Sequence, residues 1–240
     1  MAAPLIFLEN VLVRRGSSFR VAVRHFTVGP GESVAIVGRS GSGKSTCLDV
    51  MAGILRPDEG GRFEMRLKAE AAPISVPALW AAPRQDGLRE LRGRHLGYVL
   101  QTGGLVPFLS IGENIELPIR RAGRRDASRV VALLERLGLA GLGDRKPREV
   151  SIGQRQRAAV ARALAHRPAL VLADEPTASV DPETAETVMT LLTTAARQEG
   201  AALVVVTHDL ELVRMHGLRI TSCASGDEPG LSVLDDRIAA

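Results

Sequence analysis

Aromatic residues are scarce in this chain: of 240 residues, five are Phe, one is Trp and one is Tyr. A core has to be assembled from Ala, Leu, Val and Ile, and few rings remain to stack on nucleic acid bases. Cysteine is equally sparse, with only Cys47 and Cys223. That excludes a disulfide framework and suits a reducing compartment. Lysine is nearly absent, since Lys44, Lys68 and Lys146 are the only ones among 31 basic residues. No stretch approaches the roughly 18 consecutive apolar residues that a spanning helix needs. The start, Met1-Ala2-Ala3-Pro4-Leu5, lacks the basic region and long apolar run of a secretory signal. If the protein works at a membrane, something else has to supply the membrane part.

What is present is globular in composition, with 45% hydrophobic and 24% charged residues and a net charge of +4. Wholesale disorder is excluded, and at about 100–200 residues per domain the length allows one large domain or two small ones. Arginine clusters at Arg14-Arg15, Arg120-Arg121 and Arg124-Arg125 admit an anionic partner or membrane surface, but they read first as a solvated face.

Apolar and alternating runs predict strands at residues 5–8, 19–28 and 33–37. A helix is expected from residue 44 to about residue 55, stopped by Pro57 and Gly60-Gly61. Residues 68–87, with three prolines and Trp80, read as an irregular excursion. A strand is expected at residues 98–100. Ser110 with Glu113 forms a capping-box signal for a helix through Leu117. Another helix is expected over residues 126–137, with Val130, Val131, Leu133, Leu134 and Leu137 on one stripe. From residue 151 the order is helix 151–166, strand 169–173, helix 182–198, strand 202–206 and helix 209–216. That alternation predicts a mainly parallel sheet covered on both faces.

The sharpest chemical signal is Gly38-Arg39-Ser40-Gly41-Ser42-Gly43-Lys44-Ser45, a G-x-x-x-x-G-K-S P-loop between a predicted strand and a predicted helix. Glycines let backbone N–H groups turn inward around a polyphosphate, and the helix N-terminus adds partial positive charge. Lys44 is expected to reach the β- and γ-phosphates and the Ser45 hydroxyl to ligate Mg²⁺. The nucleotide-binding set runs from Gly38 through Thr46. The apolar run at residues 169–173 ends in Asp174-Glu175, placing carboxylates beside such a loop in a doubly wound sheet. Asp174 is the candidate to hold the Mg²⁺ shell, and Glu175 the candidate general base. The second apolar run ends in Thr207-His208-Asp209, with His208 the candidate contact to the γ-phosphate or its attacking water.

Val150-Ser151-Ile152-Gly153-Gln154 resembles the Leu-Ser-Gly-Gly-Gln signature of ATP-binding cassette (ABC) ATPases. Ser151, Gly153 and Gln154 keep the pattern, while Val150 and Ile152 depart from it. The resemblance covers essentially the whole chain. It places Gln101 at the Q-loop glutamine, a Mg²⁺ and water contact, and Asp181 at the D-loop aspartate. His208 falls on the switch histidine. The family's adenine-stacking aromatic, counted back from the P-loop, falls at Arg15, whose guanidinium plane can stack on a base. Ile152, a branched side chain in place of glycine, predicts an active but slow enzyme.

The fold so implied is an α/β P-loop NTPase (ABC ATPase) core with a mainly parallel sheet, an N-terminal antiparallel β-subdomain and an inserted α-helical subdomain. The core takes about residues 1–100 and 160–240, and the helical subdomain about residues 101–159. The implied assembly is a head-to-tail homodimer sandwiching ATP and Mg²⁺. It is expected to power membrane permease subunits with a large periplasmic region, from the cytoplasmic face of a bacterial inner membrane. The apolar stretch from Leu105 to Leu109 is expected to help receive the permease. Gly97–Gln101, Glu113–Pro118 and Leu172–Thr177 look most like the branch that serves lipoprotein release, macrolide export and cell division. The alternative is a non-transport, ATP-dependent scaffold of the cell-division type. A cassette acting on nucleic acid is disfavoured, because a second cassette and long coiled-coil insertions are lacking.

Overall fold

Burial alternates along the first two strands, and in each the alternation changes phase once. β1 (Ile6–Arg15) buries Ile6 and Leu8, then Val11 and Val13; β2 (Phe19–Val28) buries Val21 and Val23, then Phe26 and Val28. The strands pair antiparallel from Ile6↔Val28 to Arg15↔Phe19, with Asn10 and Arg24 outside the paired register. Asn10 takes a φ of 54°, and such a break bends a strand while keeping both apolar sets on the core side. The strand expected at residues 5–8 is therefore only the first half of β1, since the phase break hides the second half. The computed structural model describes residues 3–16, 18–58, 61–67 and 71–237. Met1, Ala2, Gly60 and Lys68, named above, lie outside these residues.

Five further strands form the parallel half that the alternation predicted. β3 (Ser33–Val37), β6 (Leu96–Val99), β7 (Leu170–Asp174), β8 (Ala202–Thr207) and β9 (Arg219–Ser225) align so that Val37 faces Thr207 and Asp174 faces Val206. With β4 (Arg62–Met65), β5 (Ile74–Ser75) and β10 (Leu231–Asp235), the sheet runs β5-β4-β1-β2-β10-β9-β3-β8-β7-β6. β9 joins the halves, parallel to β3 and antiparallel to β10. Both faces are covered. Val34, Ile36, Leu172 and Val204 face one buried cluster, while Ala35, Val37, Ala173 and Val205 face the other. Burial on both faces is why these strands read as continuous apolar runs.

Helix α1 (Lys44–Met51) ends before residue 55, where it was expected to stop. Within residues 68–87, expected to be irregular, the described residues form β5, α2 (Val76–Ala81) and the start of α3 (Asp86–His95). These helices are hard to read because α2 buries only Val76, and α3 only Leu88 and Leu91 among arginines. α4 (Ile111–Arg121) starts at the full capping box of Ser110 and Glu113, and α5 (Ala127–Arg136) at Asp126. Of the apolar stripe expected there, Val131 is exposed. α6 (Ile152–Leu164) runs unbroken through residue 159 and packs on both α4 and β6. α7 (Pro182–Gln198) and α8 (Leu210–Met215) complete the set. Arg129 and Arg136 of α5 both reach Glu199 Oε1, at 3.0 and 2.9 Å, tying the helical layer to the end of α7.

His166, just beyond α6, is buried beside the carbonyl of Leu96 at 3.1 Å from Nε2. Burial pushes its pKa from 6.5 down to about 4, so the native ring stays neutral where the unfolded chain already binds a proton. Stability contributed this way is intact above 6.5 and declines as pH falls toward 4. Between roughly pH 7 and pH 5 the loss is about 2 kcal/mol. Urea midpoints at the two pH values should therefore drift apart less for His166→Gln than for the parent; equal drift would contradict a buried neutral ring.

Candidate nucleotide-binding site

The loop between β3 and α1 is built by close approach. A Cβ on Gly38 would lie 2.3 Å from the Cys223 carbonyl oxygen, so no larger residue fits there. Gly41 and Gly43 take φ values of 78° and 89°, which only glycine adopts freely and which turn successive N–H groups inward. Lys44 is buried, and its Nζ donates to the carbonyls of Gly38 and Arg39 at 2.9 and 3.0 Å. The ammonium lies 3.6 Å from Glu175 Oε1.

β7 and β8 deliver the remaining groups to the same end of the sheet. The Ser45 hydroxyl donates to Asp174 Oδ1 at 2.8 Å. Burial raises the Asp174 carboxyl above its ordinary range, and the charges of Glu175 and Asp49 add to that rise. Glu175 holds a left-handed φ of 41°, while its N–H donates to the Val206 carbonyl at 3.0 Å. The strained backbone aims the carboxylate between Lys44 and His208, whose Nδ1 lies 3.4 Å from Glu175 Oε2. A cavity of about 370 Å³ is walled by residues of the loop from Ser40 to Thr46, by Gln101 and Glu175, and by Phe19. Arg39 and Ser42 face an adjoining hollow beside residues 225–232.

Arg15 does not line that cavity. Its guanidinium is tied to Asp49 Oδ2 at 2.9 Å, and Asp49 also accepts the Tyr98 hydroxyl at 3.3 Å. The ring bordering the loop belongs to Phe19, packed where a Gly43 Cβ would approach it to 3.2 Å. Counting along the chain missed it because Arg15 and Phe19 are cross-strand partners, so the hairpin sets the ring beside the counted position. A lone aromatic opening β2 in so ring-poor a chain was the available signal.

The residues of the second motif sit elsewhere. Ser151 caps α6, its Oγ accepting from the Gln154 N–H at 3.1 Å while Gln154 Oε1 accepts from the Ser151 N–H at 2.8 Å. Gly153 lies where a Cβ would meet Thr184 Cγ2 at 2.7 Å, so α6 and α7 approach closely only with glycine here. Asp181 caps α7, accepting from the Thr184 N–H and hydroxyl at 2.9 and 2.7 Å. Donation from that N–H, then from the hydroxyl, holds its carboxyl below the usual range. Ser151, Ile152, Gly153 and Asp181 wall a cavity that contains none of the P-loop residues. Ile152 is half exposed in it.

The segment that follows Gln101 is anchored from behind. Arg162 of α6 donates to the carbonyls of Gly103 and Gly104 at 3.0 and 2.6 Å, and burial lowers its pKa. Asn114, fully buried, accepts from the Val106 N–H at 2.7 Å and donates to the carbonyls of Val106, Leu109 and Ser110. Phe108 protrudes from this fixed segment at 72% exposure. Neither Arg162 nor Asn114 stood out in the sequence, because an arginine or asparagine within a helix carries no local sign of its acceptors.

The comparisons with known proteins agree with this geometry. The family described as ABC transporter matches residues 22–178. Lipoprotein-releasing system ATP-binding protein LolD 1 of Rhodospirillum rubrum is 43% identical over 190 residues, covering 78% of this chain and 79% of that protein. Macrolide export ATP-binding/permease protein MacB of Sodalis glossinidius is 40% identical over 205 residues, or 84% of this chain. The match spans only 29% of MacB's own length. ABC transporter ATP-binding protein MJ0796 of Methanocaldococcus jannaschii is 36% identical over 97% of this chain and all of that protein. Its dimeric post-hydrolysis structure, bound to ADP and Pi, superposes with a TM-score of 0.76, at 32% identity over 95% of this chain and 96% of that one. With a P-loop, an Asp-Glu strand end and a Ser-x-Gly-Gln helix cap on this sheet, the chain belongs to the ABC transporter family as an ATP-binding domain.

Proposed function

We propose that the protein is an ATP-hydrolysing subunit that dimerises head to tail around nucleotide and drives a membrane exporter or lipoprotein-release complex. The observation that carries this reading is the separation of two half-sites on one chain: the P-loop wall and the Ser151–Asp181 wall share no residue and no cavity. A second copy turned head to tail brings one against the other. The dimeric MJ0796 structure with ADP and Pi supports that arrangement.

Within each composite site the chain's own groups divide the work. Backbone N–H groups from Gly38 to Thr46 cradle the phosphates, and Lys44 exchanges its two carbonyl acceptors for phosphate oxygens. Phe19 offers a ring for the base, beside the position first assigned to Arg15. The Ser45 hydroxyl and the Asp174 carboxylate, with Gln101 on the same cavity, form an all-oxygen set that fits a hard divalent cation. Mg²⁺ held there supplies positive charge to the phosphate oxygens. Glu175 takes a proton from the attacking water, and His208 fixes the carboxylate that does so. Ser151 and Gly153 of the opposite protomer present a helix N-terminus to the terminal phosphate, and Asp181 holds the adjoining turn.

The partner is proposed to be a permease seated against Phe108 and the segment from Leu105 to Leu109, at the cytoplasmic face of a bacterial inner membrane. No helix among the described residues is long and apolar enough to cross a membrane. The names of LolD and MacB favour release or export over a division scaffold.

A mixed-protomer experiment tests the head-to-tail assembly. Lys44→Ala and Ser151→Arg chains should each be inactive alone. Mixed, they should recover about one quarter of parental activity, since half the dimers are mixed and each keeps one intact composite site. No recovery on mixing would contradict sites shared between protomers.

A further inference from the structure

The two cysteines of the chain, far apart in sequence, meet behind the P-loop. Cys47 stands one turn into α1, its N–H donating to the Gly43 carbonyl at 3.0 Å. Cys223 lies in β9, its Sγ donating to the Ser42 carbonyl at 2.9 Å. Its own carbonyl is the group that forbids a Cβ at Gly38. Cys223 therefore braces the loop at both ends. Both thiols are free, belong to one buried cluster and are 0% and 1% exposed.

We propose that Cys47 and Cys223 are a covalent modification site: a hydroperoxide oxidises them to a reversible disulfide, and the oxidised loop binds nucleotide more weakly. The two cysteines flank adjacent loop residues, Cys47 bonded to the Gly43 carbonyl and Cys223 to the Ser42 carbonyl, and their thiols interact. Interaction with Cys47, and the nearby Lys44 ammonium, hold Cys223 below the ordinary cysteine value. Its Sγ, set against the carbonyl of Ser42, which lines the open hollow beside residues 225–232, is the attacking sulfur. Its thiolate displaces one oxygen of the hydroperoxide, giving a sulfenic acid and, after protonation, water or an alcohol. The Cys47 sulfur then attacks that sulfenic sulfur, forming the S–S bond and releasing water. Two electrons pass from the dithiol to the peroxide, and an added dithiol returns them.

The consequence for the loop follows from what Cys223 gives up. A disulfide sulfur has no proton to donate, so the Ser42 carbonyl loses its buried partner, and the start of α1 becomes tethered to β9. Ser42 also faces the open hollow beside residues 225–232, the short path by which a water-sized oxidant reaches the thiols. Nucleotide seated on the loop closes that path. Coupling is reciprocal: if oxidation weakens binding, nucleotide must disfavour oxidation by the same factor.

The inference rests on the P-loop reading, and one experiment separates the two. The purified chain is treated with hydrogen peroxide and mapped unreduced by mass spectrometry. Affinity for a fluorescent ATP analogue is measured before treatment, after it, and after dithiothreitol. Met215, 60% exposed, reports the dose as its sulfoxide. A peptide linking residues 47 and 223 is expected, formed more slowly with ATP present, with affinity falling about tenfold and returning on reduction. Cys47→Ser, or Cys47→Ala should that variant not fold, should keep the untreated affinity and lose the peroxide effect. The proposal is overturned if Met215 oxidises without a linked peptide, if the linked chain binds unchanged, or if the Cys47 variants stay equally sensitive. Untreated chain that fails to bind nucleotide contradicts the P-loop reading instead, and the peptide map still decides whether the dithiol oxidises.

Discussion

Glu175→Gln is expected to lower ATP turnover by about 10²–10⁴-fold while nucleotide binding survives. The glutamine keeps the shape of the side chain and its reach toward His208, but it cannot accept a proton from water, and positioned general bases are worth about that much. It also removes the negative charge 3.6 Å from Lys44, so phosphate affinity should hold or rise. Phosphate release measured alongside equilibrium nucleotide binding checks both halves. Turnover within a few-fold of the parent would remove Glu175 from the base role.

Lys44→Ala should act on the other quantity. The ammonium is buried, and its partners are two loop carbonyls and a carboxylate. Truncation removes the one cation buried in the loop and leaves Gly38 and Arg39 carbonyls without their donor. A nucleotide affinity at least about 100-fold weaker is expected, which corresponds to about 2.7 kcal/mol. The fold should persist, because α1 is held chiefly by Cys47, Leu48, Val50 and Met51 in the core. Isothermal titration with far-ultraviolet circular dichroism separates lost binding from lost structure. Undiminished binding would exclude Lys44 from phosphate recognition.

The parts of the site that were legible in the sequence are those whose chemistry is local. A P-loop announces itself because backbone wrapping requires glycine at fixed spacing, and Asp174-Glu175 stand out because they end an uninterrupted apolar run. The parallel strands could be read for the same reason: burial on both faces leaves no polar position to blur the pattern. Elsewhere the determining contacts are remote. Arg15 was the counted stacking position, yet a hairpin register puts Phe19 across from it, and register is a tertiary property. α2 and α3 bury so few side chains that their stretch resembles a loop. The phase break at Asn10 shortened β1 on paper, and β9 and β10 were not read as strands at all. The bracing of the loop by Cys223 and of the Gln101 segment by Arg162 depends on residues brought together only by folding.

The most direct measurement is the mass of the Glu175→Gln chain by light scattering, with and without magnesium–ATP. On the proposed reading two opposed copies complete each site, so the 25.6 kDa chain should double in mass on adding magnesium–ATP and fall back when Ser151→Arg is added to the same chain. A nucleotide-saturated variant that stays at the mass of one chain would contradict the account.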